Sequence, residues 1–494
     1  MIIGVDVGTT NLKAAAFSRD GQQLAIAMLP TPSVRTPEGG AEYDPEAIWQ
    51  GVASCLAQVR TQLPAVKVDG IGLASMAEAG VLVDEAGRPV YPAIAWFDPR
   101  TKPQAAALAR DPGVEALYLR TGLFAMPKHG LAKLLWLKEH RSAQYERGVA
   151  WLSMAEWIAL KLTGRQAACP TLAARTLAMD LTTRQWAPEL VALTGPIFPA
   201  LQAEGTPLGD GLTAEAAAAT GLPAGTPVAL AGHDHPAAAL AAGITGPGQM
   251  LDSTGTAEAV IGAVAGPILT KQALASQISQ GPLPVPGLYG LQAGASASGG
   301  SVEWLRSEVL DGADYPTLIR LASAEGEEPS GVLFLPHLAG GGPPAVDPAS
   351  RGAFLGLTYG ASRARMVRAV LEGTCFELRR MVDAMEALVG MPYQQVVVTG
   401  GHVHNPVWMQ LKADILGRPL LAPDVSEATL LGAALLGGVA AGVYADPQEA
   451  AQAARHSGRV TEPDPRRAEA YNRWYEVYRQ VYPSLQNVYR SWPE

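Results

Sequence analysis

The chain has 494 residues, 48% of them apolar and 17% charged, with a net charge of −9. That length exceeds what one hydrophobic core covers and implies more than one domain, and the acidic balance is the wrong sign for a nucleic-acid surface. Three scattered cysteines, Cys55, Cys169 and Cys375, make neither a disulfide framework nor a zinc spacing and read as reduced thiols of a cytoplasmic protein.

The first element, "IIGVDVG", is an apolar strand carrying Asp6 and ending at Gly8, followed by Thr9, Thr10 and Lys13. The apolar start is broken by Asp6 and has no basic flank, so it is no secretion signal. Glycine-turn N–H groups, hydroxyls and a lysine are three means of holding phosphate, and a carboxylate such as Asp6 can hold Mg²⁺. An ordinary hairpin with Asp6 capping its turn fits the same residues. No G-x-x-x-x-G-K-[ST] occurs, which excludes a P-loop.

"DPEAIWQGVASCLAQVRTQL" predicts an amphipathic helix with Asp44 as N-cap and Pro45 in its first turn. "VDGIGLASM" and "VLVDEAGRPV" read as strands. In "YPAIAWFDPRT", Trp96, Asp98 and Arg100 alternate along an extended segment. An aromatic face, a carboxylate and a guanidinium on one side would suit a polyol; a loop with a local Asp–Arg pair is the alternative.

The strand "PVALAG" runs into His233, Asp234 and His235, then an alanine-rich helix. A carboxylate at a strand's carboxyl end is placed to act as a base in an α/β crevice; it would also cap the helix. His402 and His404 repeat the His-x-His spacing, so four imidazoles could make a zinc site if the fold joined them. "DSTGTAEAVI" from Asp252 echoes "DVGTTNLKAA" from Asp6, half a chain apart, with a Gly/Pro-containing junction near residue 246. Two related α/β halves follow from this, residues 1–246 and 247–494, each opening with a hairpin. "VVVTGG" is a strand ending on Gly400 and Gly401, before a helix near Asn405 and Pro406. "ATLLGAALLGGVAAGVYA" is of membrane-span length but is Ala- and Gly-rich without a basic flank, so it predicts a close-packing buried helix. The tail "RRAEAYNRWYEVYRQVYPSLQNVYR" predicts an aromatic-faced helix packed on a domain.

In this order, with "AEYDPEAIW", "FLPHLAGGGPPAVDPASRGAFLGLT" and "RAVLEGTCFELR", these stretches resemble the FGGY family of carbohydrate kinases, of the actin-like ATPase superfamily. The resemblance covers nearly the whole chain. It implies an α/β protein of two RNase H-like domains with ATP and a sugar in the cleft between them, and transfer of the γ-phosphoryl to a sugar hydroxyl. It implies Asp234 as the base, Asp6 at Mg²⁺, and Gly8, Thr9, Thr10 and Lys13 at the phosphates. Gly255 and Thr256 would close from the second hairpin turn. Gly299, Gly300, Gly400, Gly401 and Asn405 would line the nucleotide. Trp96, Asp98 and Arg100 would lie on the sugar side with Glu78, His233 and His235.

The chain departs from the pattern at Met76-Ala77-Glu78, where xylulose kinases carry Gln-Met-His and glycerol kinases Gln-Arg-Glu. His233 and His235 also replace the usual neighbours of the base. A ketose such as xylulose is favoured over glycerol, and a homodimer is common among such proteins. A chaperone-like ATPase or a sugar-binding regulator of the same fold is the alternative, which a polyol-lined cleft beside Asp234 disfavours.

Overall fold

The computed structural model describes residues 1–36, 39–454 and 457–492. The first half is built on strands β1 (Ile2–Val7), β2 (Asn11–Phe17) and β3 (Gln23–Pro30), helix α1 (Pro45–Gln62), strands β4 (Gly70–Ser75) and β5 (Val228–His233), and helix α2 (Asp234–Ala241). Its sheet runs β5-β4-β1-β2-β3. β1 lies antiparallel to β2, with Asp6 opposite Lys13, and parallel to β4. Such central strands are covered on both faces and therefore read as continuous apolar runs.

The second half contains β6 (Gln249–Thr254), β7 (Glu258–Val264), β8 (Ser279–Pro282), β9 (Tyr289–Ala295), α3 (Arg363–Val389), β10 (Gln395–Thr399), α4 (Pro406–Leu416), β11 (Leu420–Pro423), α5 (Ala428–Ala440), β12 (Gly458–Thr461) and α6 (Pro465–Arg490). Its sheet runs β8-β9-β7-β6-β10-β11-β12. β6 pairs antiparallel with β7 and parallel with β10, as β1 pairs with β2 and β4. The echo between Asp6 and Asp252 thus marks equivalent hairpins at the centre of two sheets.

Local signals hold where capping decides them. The Asp44 side chain accepts from the backbone N–H groups of Glu46 and Ala47 at the start of α1. All three cysteines are buried and free. The tail helix buries Tyr471, Tyr475 and Tyr478, whose hydroxyls donate to Glu372, Asp383 and Glu377 at 2.7–2.8 Å. "VLVDEAGRPV" is a strand only over Gly80–Val83, because the Asp84 side chain accepts from the N–H groups of Ala86 and Arg88 and turns the chain.

The Ala/Gly-rich α5 belongs to the second half by sequence but packs on the first sheet, against β1, β4 and β5, and on α2. The contact is backbone on backbone. A Cβ on Gly4 would strike the carbonyl oxygen of Leu430, one on Gly72 that of Ala433, and one on Gly70 that of Gly437. Ala237 and Leu240 of α2 and Ala433 and Leu436 of α5 share a core with Ala74 and Ala231 of the first sheet and Leu251, Ile261 and Val397 of the second. These two helices therefore form the layer between the sheets. No helix among the described residues is long and apolar enough to cross a membrane.

Candidate active site

A cavity of about 380 Å³ opens between the halves. The first half supplies Thr9, Met76, Ala77, Glu78, Trp96, Lys128, Arg175, His233, Asp234 and His235, and the second supplies residues of β7 and β9 with Pro343. Asp234 reaches it because β5 ends at His233 and Asp234 opens α2. It is the first helical residue and His233 is the N-cap, so the capping alternative does not hold. Its Oδ1 accepts from the N–H of His235 at 2.6 Å and lies 3.1 Å from His233 Nε2 and 3.9 Å from His235 Nε2. Burial alone would raise its carboxyl, but His235 and His233 outweigh that and hold it below the ordinary range. An ionised carboxylate at a cleft wall, beside imidazoles, can accept a proton from a substrate hydroxyl.

Asp6 behaves oppositely. Burial, then the charge of Asp234, pushes it up to about 8 against the pull of Lys13. Its Oδ1 is sealed from solvent and makes no hydrogen bond. A buried carboxylate oxygen with no donor is what a cation would complete, so the residues present fit a divalent ion. Lys13 Nζ donates to both oxygens of Glu427 at 2.9 and 3.0 Å, which puts a further carboxylate, just before α5, beside the opening turn. In that turn Gly8 N–H donates to Asn11 O, and Thr9 Oγ1 accepts from Trp96 Nε1 at 2.9 Å. Trp96 therefore joins the cavity, whereas Thr10 is exposed and does not line it.

Asp98 and Arg100 are not in it. Pro99 and Arg100 enter a short 3₁₀ turn that Asp98 caps, so the segment is not extended and the three side chains do not share a face. Asp98 is spent on Arg100 and on the N–H of Ala41, and Arg100 on Glu42 as well. They line a separate recess with Tyr91, Trp136 and Arg141. The segment forms the local Asp–Arg pair, with Asp98 buried and Arg100 half-buried.

Glu78 sits in the cleft with φ +64°, a conformation costly for a non-glycine residue and characteristic of functional sites. It is held there at both ends: Lys133 Nζ donates to its carbonyl at 2.7 Å, and Arg175 Nε donates to Oε1 at 2.9 Å. Burial would raise its carboxyl, but Arg175 and Lys128 hold it well below the ordinary range. Sequence reasoning missed Lys128 and Arg175, which lie outside the motifs, and Glu427, which opens the Ala/Gly-rich stretch; all three meet their partners only through the fold.

A second cavity, about 500 Å³, lies in the other half. Gly255, Thr256, Gly299, Gly401 and Asn405 give it a polar rim, and Val302, Leu318, Val367 and Leu371 an apolar wall. Gly300 and Gly400 stand behind it: Gly300 N–H donates to Thr256 O at 2.9 Å, and Gly400, at φ +105°, lies so close to Thr254 that a Cβ would strike its carbonyl oxygen. Asn405 caps α4, accepting from the N–H groups of Val407 and Trp408. Beneath the rim, Lys412 Nζ lies 2.5 Å from Asp252 and 2.5 Å from Glu258, all three sealed from solvent. Asp252 is thus neutralised by an ammonium where its counterpart Asp6 is not. His402 and His404 line this cavity and His233 and His235 the cleft, so the four imidazoles do not meet.

Two family models match in succession: the N-terminal domain of the FGGY family of carbohydrate kinases over residues 1–241 and the C-terminal domain over residues 251–441. The chain belongs to the FGGY family of carbohydrate kinases. It is 33% identical to a glycerol kinase of Gloeobacter violaceus over 470 residues, covering 93% of this chain and 92% of that one. It is 31% identical to an L-fuculokinase of Escherichia coli O157:H7, covering 91% of this chain and 94% of that one. The crystal structure of xylulose kinase from Rhodospirillum rubrum superposes with a TM-score of 0.90 at 30% identity over 99% of both chains. This FGGY protein is therefore an ATP-dependent phosphotransferase with an alcohol group as acceptor, and its two-domain α/β fold is that of the sugar kinases.

Proposed function

We propose that the protein transfers the γ-phosphoryl group of ATP to a hydroxyl of a small sugar or polyol, with Asp234 as general base. The observation that carries this is Asp234 in the cavity between the halves, beside two imidazoles and with Thr9 of the opening turn on the same wall. Phosphoryl transfer needs positioning and charge neutralisation more than covalent help, and each part of the cleft supplies one of these. Asp234 takes the hydroxyl proton. The N–H groups of Gly8 and Gly255 close their own turns on Asn11 O and Ala257 O, and the hydroxyls of Thr9 and Thr256 meet the phosphates from opposite halves, with Lys13 and Glu427 paired beside the first turn. Asp6, whose buried Oδ1 has no hydrogen-bond partner, would hold Mg²⁺, which would supply charge neutralisation at the phosphate oxygens. The apolar wall of the second cavity takes the base of the nucleotide. Residues 1–246 and 247–494 act as the two jaws, with α5 reaching back under the first; closure excludes the water that competes for the phosphoryl group. A ketose such as xylulose is the reference neutral acceptor.

Asp234→Asn tests the assignment. Removing a general base costs about 10²- to 10⁴-fold, so kcat for ADP release with a competent acceptor falls by that factor while ATP still binds by calorimetry. Turnover within a few-fold of the parent overturns the base assignment.

A further inference from the structure

The acceptor end of the cleft holds more positive charge than its own carboxylate neutralises. Arg175 Nε and Nη2 and Lys128 Nζ, the last at 3.3 Å, all converge on one oxygen of Glu78, Oε1. Fully buried Lys133 stands behind, donating to the carbonyls of Glu78 and Ile94 at 2.7 and 2.9 Å. Arg175 Nη1 makes no hydrogen bond among the described residues, and Lys128 Nζ has no ionic partner there but Glu78. Both side chains line the cavity.

The neighbours register this field. Burial lowers His129, and Arg175 and Lys128 push it further down. Burial lowers Lys128 itself, with Arg175 adding to the effect against the pull of Glu78. Lys133 is pushed down to about 7 by burial despite Glu78 and Asp98, with Arg100 and Lys128 acting in the same sense as burial. Asp234, the other carboxylate of the cavity, is occupied by its two histidines. Buried Arg175 and part-exposed Lys128 share Glu78 as their one counter-ion; a neutral polyol leaves them sharing it, whereas an anionic group on the substrate supplies a second carboxylate. A guanidinium N–H beside an ammonium is also the donor pair that suits a planar carboxylate. The protein carries −9 overall, so the attraction is local to this pocket.

Resting on the kinase reading of the site, we infer that the acceptor is a polyhydroxylated carboxylate, a sugar acid, whose carboxylate is received by Lys128 Nζ and Arg175 Nη1 while the hydroxyl to be phosphorylated faces Asp234. Trp96 supplies an aromatic face for the carbon chain, and Ala77 leaves the wall open.

The test is ADP release by the full chain with Mg-ATP, using aldonates paired with alditols of the same length and configuration from three to six carbons, and xylulose besides. One aldonate exceeds its alditol, and xylulose, in kcat/KM by at least about tenfold, the least that a charge-assisted contact contributes. Lys128→Met raises KM for that acid at least about tenfold, leaves KM for ATP within about twofold, and is rescued in part by Lys128→Arg. A neutral acceptor preferred over every acid overturns the inference and leaves the kinase reading standing. A Lys128→Met effect equal for acid and neutral acceptors also overturns it, since the lysine would then serve only the fold. ADP release with no compound in the panel overturns both.

Discussion

Lys412→Met removes the one cation from a sealed cluster, and its cost can be worked from the contacts. Nζ lies 2.5 Å from Asp252 and from Glu258 and 2.8 Å from Thr254 Oγ1. Two carboxylates share one ammonium, and burial already raises Asp252 to about 7 against the pull of Lys412. The variant leaves two sealed carboxyl groups with no cation between them. Breaking a buried pair by removing one partner costs about 3–5 kcal/mol. The sign follows from Asp252: without the ammonium it is pushed up further, so the penalty is absent at about pH 4, where the unfolded chain is protonated too, and grows as pH rises. Equilibrium urea unfolding without ligands should show a loss of about 3–5 kcal/mol at pH 7 and a clearly smaller one at pH 5. Adding Glu258→Gln should recover most of it. A loss equal at both pH values, or no recovery in the double variant, refutes the reasoning. Because the cluster underlies the Gly255–Thr256 turn, KM for ATP should rise in the variant that remains folded.

Asp6→Asn should have the opposite effect on the ligand-free fold. Asp6 carries a proton up to about pH 8 that the unfolded chain releases near 4, so wild-type stability falls as pH rises between those values and the variant gains. That gain grows by up to about 3 kcal/mol between pH 5 and pH 7, read by urea unfolding, while phosphoryl transfer is lost. For the same reason Mg²⁺ affinity of the ATP-free protein, measured by calorimetry, should rise about tenfold per pH unit from 6 to 8 and level off above that; a flat profile removes Asp6 from the cation site.

The parts of this site that were legible in the sequence are those fixed by short range. Strand β1, the turn after it and the strand–Asp234–helix junction each follow from a few consecutive residues. Asp98 and Arg100 misled because alternation puts side chains on one face only in an extended chain, and Pro99 sits at the start of a helical turn. The charged partners were illegible for a different reason. Arg175 meets Glu78 across 97 positions, Lys412 meets Asp252 across 160 and Glu427 meets Lys13 across 414. No pattern in a single sequence pairs residues at such separations. The glycines at 4, 70 and 72 were visible, but not that one helix backbone lies on all three.

That glycine seam sets an order of events during synthesis. The trough formed by Gly4, Gly70 and Gly72 exists once β4 has left the ribosome, yet its cover, Ala428–Ala440, is encoded about 350 residues later. At ~5–20 residues per second the interval is roughly 20–70 s. Over that time the nascent first sheet leaves the backbone at these three glycines uncovered, with Ile2, Ala15 and Phe17 beside it. The gap fits a helix with glycine and alanine on its contact face, which approaches this closely. A ribosome-stalled chain ending before Ala428 should therefore be captured by chaperones and cut by protease within the first sheet, and one extended past Ala440 should not.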